Sequence, residues 1–214
     1  MRASVGKMAG TGLLTIAALS ITIRVGLAQQ NIGQIPAGEE RSRDYTVQVA
    51  GRDIPVYTAK VAPADPARRW KAMDDKERSA EYFDQTAFAY FDLSGPVTVT
   101  VACPEPIQAA KVLPGSLKIV PAIEGRRLTF VLTEPKHVTV EVNGNWVGAL
   151  HLFANPPEVP APRPDDPNVI YFGPGVHEVS GVKVSSGQTV YVAAGAVVKG
   201  TGDRRGPVFT LQGE

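Results

Sequence analysis

The sequence predicts an all-β fold, in which an antiparallel β-sandwich is followed by the first coils of a parallel β-helix. Apolar and polar side chains alternate with a period of two in short runs between Tyr45 and Leu152, as in strands with one buried face. A second region, from Val169 to Ala196, contains an internal repeat with an offset of 20 residues. The 21 glycines and 18 prolines among 214 residues suit such a turn-rich β protein.

The first 28 residues predict a signal peptide. Arg2 and Lys7 precede an apolar run over residues 11–23, and Gly26 and Ala28 provide the small residues that signal peptidase accepts. The run is shorter than the ~20 residues that span a bilayer. We therefore expect a secreted or periplasmic protein with no membrane partner after cleavage, although retention of the segment as an anchor stays open.

The β-sandwich is expected over residues 34–155. Its clearest strands are residues 96–102, 128–132 and 137–142, which are separated by segments rich in Gly, Pro and Asn. Alternation predicts that one set of apolar side chains points into a single core: Val97, Val99, Val101, Leu128, Phe130, Val138, Val140 and Val142. A charge-balanced stretch over residues 65–81 interrupts the pattern and predicts a solvated loop or a short helix.

A proline-rich linker is expected over residues 156–167, because six prolines in the fourteen residues 154–167 exclude a helix or an interior strand. Beyond it, residues 169–176 align with residues 189–196, which places Tyr171 over Tyr191. A repeat of about 20 residues predicts the start of a parallel β-helix over residues 168–214. Two coils are fewer than the ~3 that bury a solenoid core, so we expect the β-helix to be incomplete.

Charge and cysteine content exclude several classes of function. With 22 basic and 21 acidic side chains, the chain has no overall field for nucleic acid. Cys103 stands alone, so it forms neither an intrachain disulfide nor a cysteine zinc site, and we expect it in the core. His177-Glu178 lacks the second histidine of a helical zinc motif. No metal site and no cofactor are expected.

The adjacent carboxylates Asp74-Asp75 and Asp165-Asp166 do not predict a glycosidase pair. Such a pair faces its partner across a sugar at about 5 to 9.5 Å, and sequence neighbours in a charged loop or a linker have nothing that holds them in this way. We expect both pairs on the solvated surface. Trp146, in the turn that begins at Asn143, is a weak sugar-stacking candidate, with a packed or edge tryptophan as the alternative interpretation.

Two parts of the sequence resemble a known family of proteins. Residues 169–179 and 182–200 resemble the opening coils of the pectin-lyase-like β-helix glycoside hydrolases, and are similar to the polygalacturonase family (family 28) and the dextranase family (family 49). Residues 138–144 and 150–156 resemble the N-terminal β-sandwich of dextranase-like proteins. The resemblance covers about residues 45–214 and implies that the parallel β-helix is right-handed. It also implies that the catalytic aspartates lie beyond Glu214, so no residue here inherits a catalytic role.

The sequence therefore predicts the N-terminal fragment of a secreted polysaccharide-degrading glycoside hydrolase, inactive by itself. Its partner would be the polysaccharide that the full-length protein degrades. The alternative is a secreted, non-catalytic carbohydrate-binding or structural β-helix protein, because a fold does not fix a function.

Overall fold

A computed structural model of the protein describes residues 33–71, 82–201 and 206–213. The predicted signal peptide, residues 1–28, and most of the charged stretch 65–81 lie outside the described residues. Apart from one short helix, α1 (Pro66–Lys71), and 3-10 residues at position 82 and at Gly115–Leu117, the regular structure within these ranges is all β. None of the helices described there is long and apolar enough to cross a membrane.

Ten strands form two five-stranded sheets. The first sheet has the order β2-β1-β5-β8-β7 and the second has the order β3-β4-β10-β9-β6. In chain order the strands are β1 (Thr46–Val49), β2 (Arg52–Ile54), β3 (Tyr57–Val61), β4 (Asp84–Asp92), β5 (Val97–Ala102), β6 (Ala110–Leu113), β7 (Ala122–Glu124), β8 (Arg127–Leu132), β9 (His137–Val142) and β10 (Asn145–Asn155).

One hydrophobic core lies between the two sheets. Strands β1, β5 and β8 contribute their inward-facing residues from one side, and β4, β9 and β10 contribute theirs from the other. Val99 pairs with Val49 on one neighbouring strand and with Phe130 on the other, and all three side chains are buried. The eight apolar positions that alternation assigned to a single core are all buried in this cluster, which confirms that prediction.

Strand direction differs from the prediction at one place. The sequence predicted antiparallel pairing throughout residues 34–155, but β4 and β10 run parallel, with Ala87 beside Leu150 and Asp92 beside Asn155. β4 is antiparallel to β3 and β10 is antiparallel to β9, so the parallel pair arises where these two antiparallel pairs meet. Alternation indicates which face a residue occupies and carries no information about strand direction.

Residues 156–168 contain turns but no strand or helix, as the prolines predict. Six further strands then form three parallel pairs, β11 with β14, β12 with β15 and β13 with β16. Their bounds are β11 (Val169–Phe172), β12 (Gly175–Val179), β13 (Val182–Ser185), β14 (Thr189–Val192), β15 (Ala196–Gly200) and β16 (Phe209–Gln212). Tyr171 pairs with Tyr191, which confirms the 20-residue register of the repeat. Each of these sheets has only two short strands.

The parallel pairs contact the second sheet through a few specific interactions. The backbone N–H of Gly195 donates a hydrogen bond to the Tyr90 hydroxyl on β4, with a distance of 3.0 Å. Lys199 on β15 forms an ion pair with Glu39, which precedes β1. Gly33 also lies against Gly195, and a Cβ atom at Gly33 would come within 2.0 Å of the Gly195 nitrogen, so this approach requires glycine.

Candidate functional site

A cleft of about 500 Å³ lies where the second sheet meets the parallel pairs. Its apolar walls come from Pro156, Val192 and four alanines. Five polar side chains line it: Tyr90, Asp92, Asn155, Glu158 and Tyr191. Sites for small molecules have this mixture of apolar surface with a few convergent polar groups.

The pleat of β4 and β10 directs three of these polar side chains to one face. On β4, Ala89 and Phe91 are buried in the core, so Tyr90 and Asp92 point to the opposite face. On β10, Ala154 is buried and its neighbour Asn155 is only partly buried. Because β4 and β10 pair in parallel with Asp92 beside Asn155, the two polar side chains are neighbours at the ends of their strands.

Tyr90 is held by contacts on both sides. Its hydroxyl accepts the hydrogen bond from the Gly195 backbone and lies 3.4 Å from the Tyr57 hydroxyl. The Tyr57 and Tyr90 rings stack with centroids 5.8 Å apart. Burial raises the pKa of Tyr57, and the hydrogen bond to Tyr90 raises it further. One wall of the cleft is therefore fixed before any ligand binds.

Tyr191 and Glu158 form the opposite wall. The Glu158 carboxylate lies beside the Tyr191 hydroxyl, and the centroids of the Tyr191 and Tyr171 rings are 5.4 Å apart. Burial, followed by the hydrogen bond and charge of Glu158 and by the nearby Tyr171 and Asp92, raises the pKa of Tyr191 to about 12. The hydroxyl consequently keeps its proton at physiological pH and remains a hydrogen-bond donor.

An aromatic row extends from the cleft across the outer face of the second sheet. It comprises Tyr90, Phe88 and Phe153, with the His137 ring packed edge-on against Phe153 at 5.2 Å. The Asn155 side-chain oxygen lies 3.0 Å from His137 Nε2, which joins the row to the cleft. Phe153 keeps 36% of its surface exposed, so the row offers an apolar surface beside the polar cleft.

The cleft is acidic. Its described lining includes the carboxylates of Asp92 and Glu158 and no lysine or arginine. Within the described parts of the chain, no group of three His, Cys, Asp or Glu side chains is placed to hold a metal ion. The arrangement can therefore accept hydrogen bonds from hydroxyl groups, and it disfavours anions.

Trp146, the predicted sugar-stacking residue, does not belong to the cleft. It is 63% exposed near the start of β10, whereas Asn155 ends the same strand and Trp146 is not among the residues that line the cleft. Of the alternative interpretation, a packed or edge tryptophan, this exposure excludes only the packed form. Whether Trp146 binds sugar stays a prediction.

The other residues singled out in the sequence have structural surroundings. Asp166 accepts a hydrogen bond from the Arg163 backbone at 2.8 Å, within a turn, and Asp165 is exposed. His177 Nε2 lies 2.6 Å from the Gly173 carbonyl oxygen, so this histidine supports its own loop. Cys103 is half-buried against the core. Asp74 and Asp75 lie outside the described residues.

Sequence reasoning missed the residues of the cleft. Tyr90 and Asp92 lie on a strand that was not individually predicted, and Tyr191 lies about a hundred positions later, so no local motif joins them. The one available signal was Glu158, a carboxylate in a proline-rich segment that directly follows a strand.

Comparison with known proteins gives a likeness of fold. No family model and no curated protein sequence matches the chain. Among solved structures, Dex49A from Penicillium minioluteum matches with a TM-score of 0.50 and 19% sequence identity. The match covers 79% of this chain and 44% of that chain, so the chain spans less than half the length of this structure. The likeness is one of fold, and it agrees with the all-β structure described here.

Proposed function

We propose that the chain is the N-terminal portion of a secreted polysaccharide-degrading glycoside hydrolase. The observation that carries the proposal is the fold similarity to Dex49A over 79% of the chain. It agrees with the resemblance of residues 138–156 and 169–200 to the dextranase family. The fold match and the sequence resemblance are separate observations, and both favour the same class of protein.

The proposed architecture has three parts: a β-sandwich over residues 34–155, a linker over residues 156–167 and the opening of a right-handed parallel β-helix from residue 168. The core shared by the two five-stranded sheets supports the first part. The third part is supported by three parallel pairs in succession, with register offsets of 20, 21 and 27 residues. A growing offset fits coils that keep their strands in line while one loop lengthens.

The chemistry of the proposed enzyme is hydrolysis of a glycosidic bond by two carboxylates. One protonates the leaving oxygen, and the other activates water or attacks the sugar directly. The family resemblance assigns these carboxylates to strands beyond Glu214, and the chain matches only 44% of the length of Dex49A. We therefore assign no catalytic residue to this chain and expect it to be inactive alone. Residues 1–28 would direct its export.

The test compares the 214-residue chain with the longer protein encoded when the reading frame is extended downstream. Reducing-sugar release is measured on dextran and on polygalacturonate. The longer protein is expected to hydrolyse one of them and to lose that activity when an aspartate on its added strands is changed to asparagine. Hydrolysis by the 214-residue chain that is lost on changing one of its own carboxylates would contradict the proposal.

A non-catalytic carbohydrate-binding protein is the second candidate function. The cleft between Tyr90 and Tyr191 favours it, since this chain holds a preformed polar site without any residue assigned to catalysis. The two candidates differ in the longer protein. An extension without aspartate-bearing strands at ~20–25-residue spacing, together with sugar binding and no hydrolysis, would favour the binding protein.

A further inference from the structure

We propose that the cleft lined by Tyr90, Asp92, Asn155, Glu158 and Tyr191 is a non-catalytic binding site for a neutral saccharide. This inference adds to the proposed function a site and the charge class of the glycan. Binding by this chain can be measured whether or not a longer protein hydrolyses anything, so the two proposals can fail separately.

The first argument is that the site is preorganised. Tyr90 is fixed by the Gly195 backbone, Tyr191 by the contact of its ring with Tyr171, and Asn155 by His137. The volume of about 500 Å³ lies within the usual ~300–1,000 Å³ of small-molecule sites. A ligand that enters therefore loses little binding energy to the ordering of protein side chains.

The second argument is the chemistry of the lining. A pyranose presents several hydroxyl donors around its edge and an apolar C–H surface on its faces. The carboxylates of Asp92 and Glu158 accept from hydroxyls, and charge-assisted hydrogen bonds of this kind are stronger than neutral ones. The apolar walls around Val192 and the ring of Tyr191 suit the C–H faces.

The third argument is charge. Two carboxylates with no lysine or arginine in the described lining repel a uronate or a phosphate. Both carboxylates lie beside neutral polar side chains, Glu158 beside the Tyr191 hydroxyl and Asp92 beside Asn155. A neutral polyhydroxylated ligand uses the remaining acceptor positions and does not require an uncompensated charge.

The fourth argument is continuity with the aromatic row. Phe153 follows the same face of β10 as Asn155, two positions earlier, which places it about 7 Å from the cleft. Its exposed ring surface lies where a second sugar unit of an oligosaccharide would extend. The site is therefore suited to a chain of sugars and not only to a monosaccharide.

The experiment titrates the 214-residue chain with isomaltotriose, a neutral probe, and with trigalacturonate, an acidic probe of similar size. Calorimetry gives the dissociation constants, and saturation-transfer NMR reports contact with the sugar protons. The variants are Tyr191→Ala, which removes the ring and the hydroxyl, and Glu158→Gln, which removes one charge at an exposed position. Val131→Ala, at an exposed position on β8 of the first sheet, is the control, and Trp146→Ala tests the sugar-stacking candidate outside the cleft.

We expect the unchanged chain to bind isomaltotriose and not trigalacturonate. Tyr191→Ala should weaken isomaltotriose binding at least about tenfold, because it removes the ring and the hydroxyl. Glu158→Gln should weaken it by about threefold or more, because it removes a charge-assisted contact. Val131→Ala should leave the dissociation constant unchanged. Circular dichroism monitors folding, and Glu158→Gln keeps the test valid if Tyr191→Ala disturbs β14.

Three results would overturn the proposal. The first is that the unchanged chain does not bind isomaltotriose. The second is that Trp146→Ala removes binding whereas Glu158→Gln does not affect it. The third is that trigalacturonate binds as tightly as isomaltotriose. Hydrolysis by the longer protein together with any of these results would leave the proposed function standing while refuting the cleft. Binding in the cleft without hydrolysis by the longer protein would support the cleft and contradict the proposed function.

Discussion

Replacement of Phe130 by alanine tests the shared core of the two sheets. The Phe130 side chain is 4% exposed on β8 and lies beside Val99 of β5. A buried aromatic removes roughly 150–250 Å² from water, which at ~25 cal/mol per Å² corresponds to about 4–6 kcal/mol. Alanine retains part of that surface, so the expected loss in free energy of unfolding is about 3–5 kcal/mol, as for other core Phe→Ala changes.

The matched control is Val131→Ala. Val131 is the next residue on β8, points to the opposite face and is 51% exposed, so its truncation should cost less than about 1 kcal/mol. Urea denaturation followed by far-UV circular dichroism measures both values, with the slope of the transition unchanged if the denatured state is the same. Equal losses for the two variants, or a loss below about 1 kcal/mol for Phe130→Ala, would refute the assignment of Phe130 to the core.

Three further predictions concern single interactions. The backbone N–H of Ala64 and then the Arg68 guanidinium lower the pKa of Asp84, so its contribution to stability is present above its unfolded pKa of ~3.8 and is lost as the pH falls through the lower folded value. Asp84→Asn should therefore reduce the fall of the denaturation midpoint below about pH 4, and an unchanged acid profile would contradict this. Lys199→Met removes the ion pair to Glu39 and should accelerate proteolytic cleavage within residues 156–167, with a protected fragment of about residues 34–155 on gels; cleavage at the rate of the unchanged chain would show that the ion pair does not hold the junction. Burial, followed by the charge of Asp44, raises the pKa of Cys103 to about 11, so alkylation by iodoacetamide at pH 8 should be at least about tenfold slower than for a model thiol, and an equal rate would show an accessible thiolate.

Much of the core could be predicted from the sequence. Val97, Val99 and Val101 occupy alternate positions, and a pleated strand must place them on one face, so the pattern determines their burial once that face meets another sheet. The repeat of Tyr171 and Tyr191 likewise predicted the register of a parallel pair, because like residues stack on like residues in such pairs.

Other features depend on contacts that a local pattern does not report. The parallel pairing of β4 and β10 joins two antiparallel pairs, β3 with β4 and β9 with β10, that are far apart in the sequence. β12 was not predicted, since Gly175 and His177 do not have the composition of a strand, and its pairing with β15 defines it. The sequence does not predict the cleft for the same reason, because Asp92, Glu158 and Tyr191 come together only when the parallel pairs lie against the second sheet.

The most direct test of the account asks whether residues 169–192 stack in the proposed register, since the opening of a β-helix requires it. Ile170 and Val190 pair across β11 and β14, and neighbouring strands lie about 4.8 Å apart, within the range that a disulfide spans. In a Cys103→Ser background, Ile170→Cys with Val190→Cys should form an intrachain disulfide under mild oxidation, detected by mass spectrometry. The control, Ile170→Cys with Thr189→Cys, places the second cysteine out of register on the other face of its strand. Cross-linking of the first pair alone is the predicted result; equal cross-linking of both pairs, or of neither, would contradict the stacked arrangement.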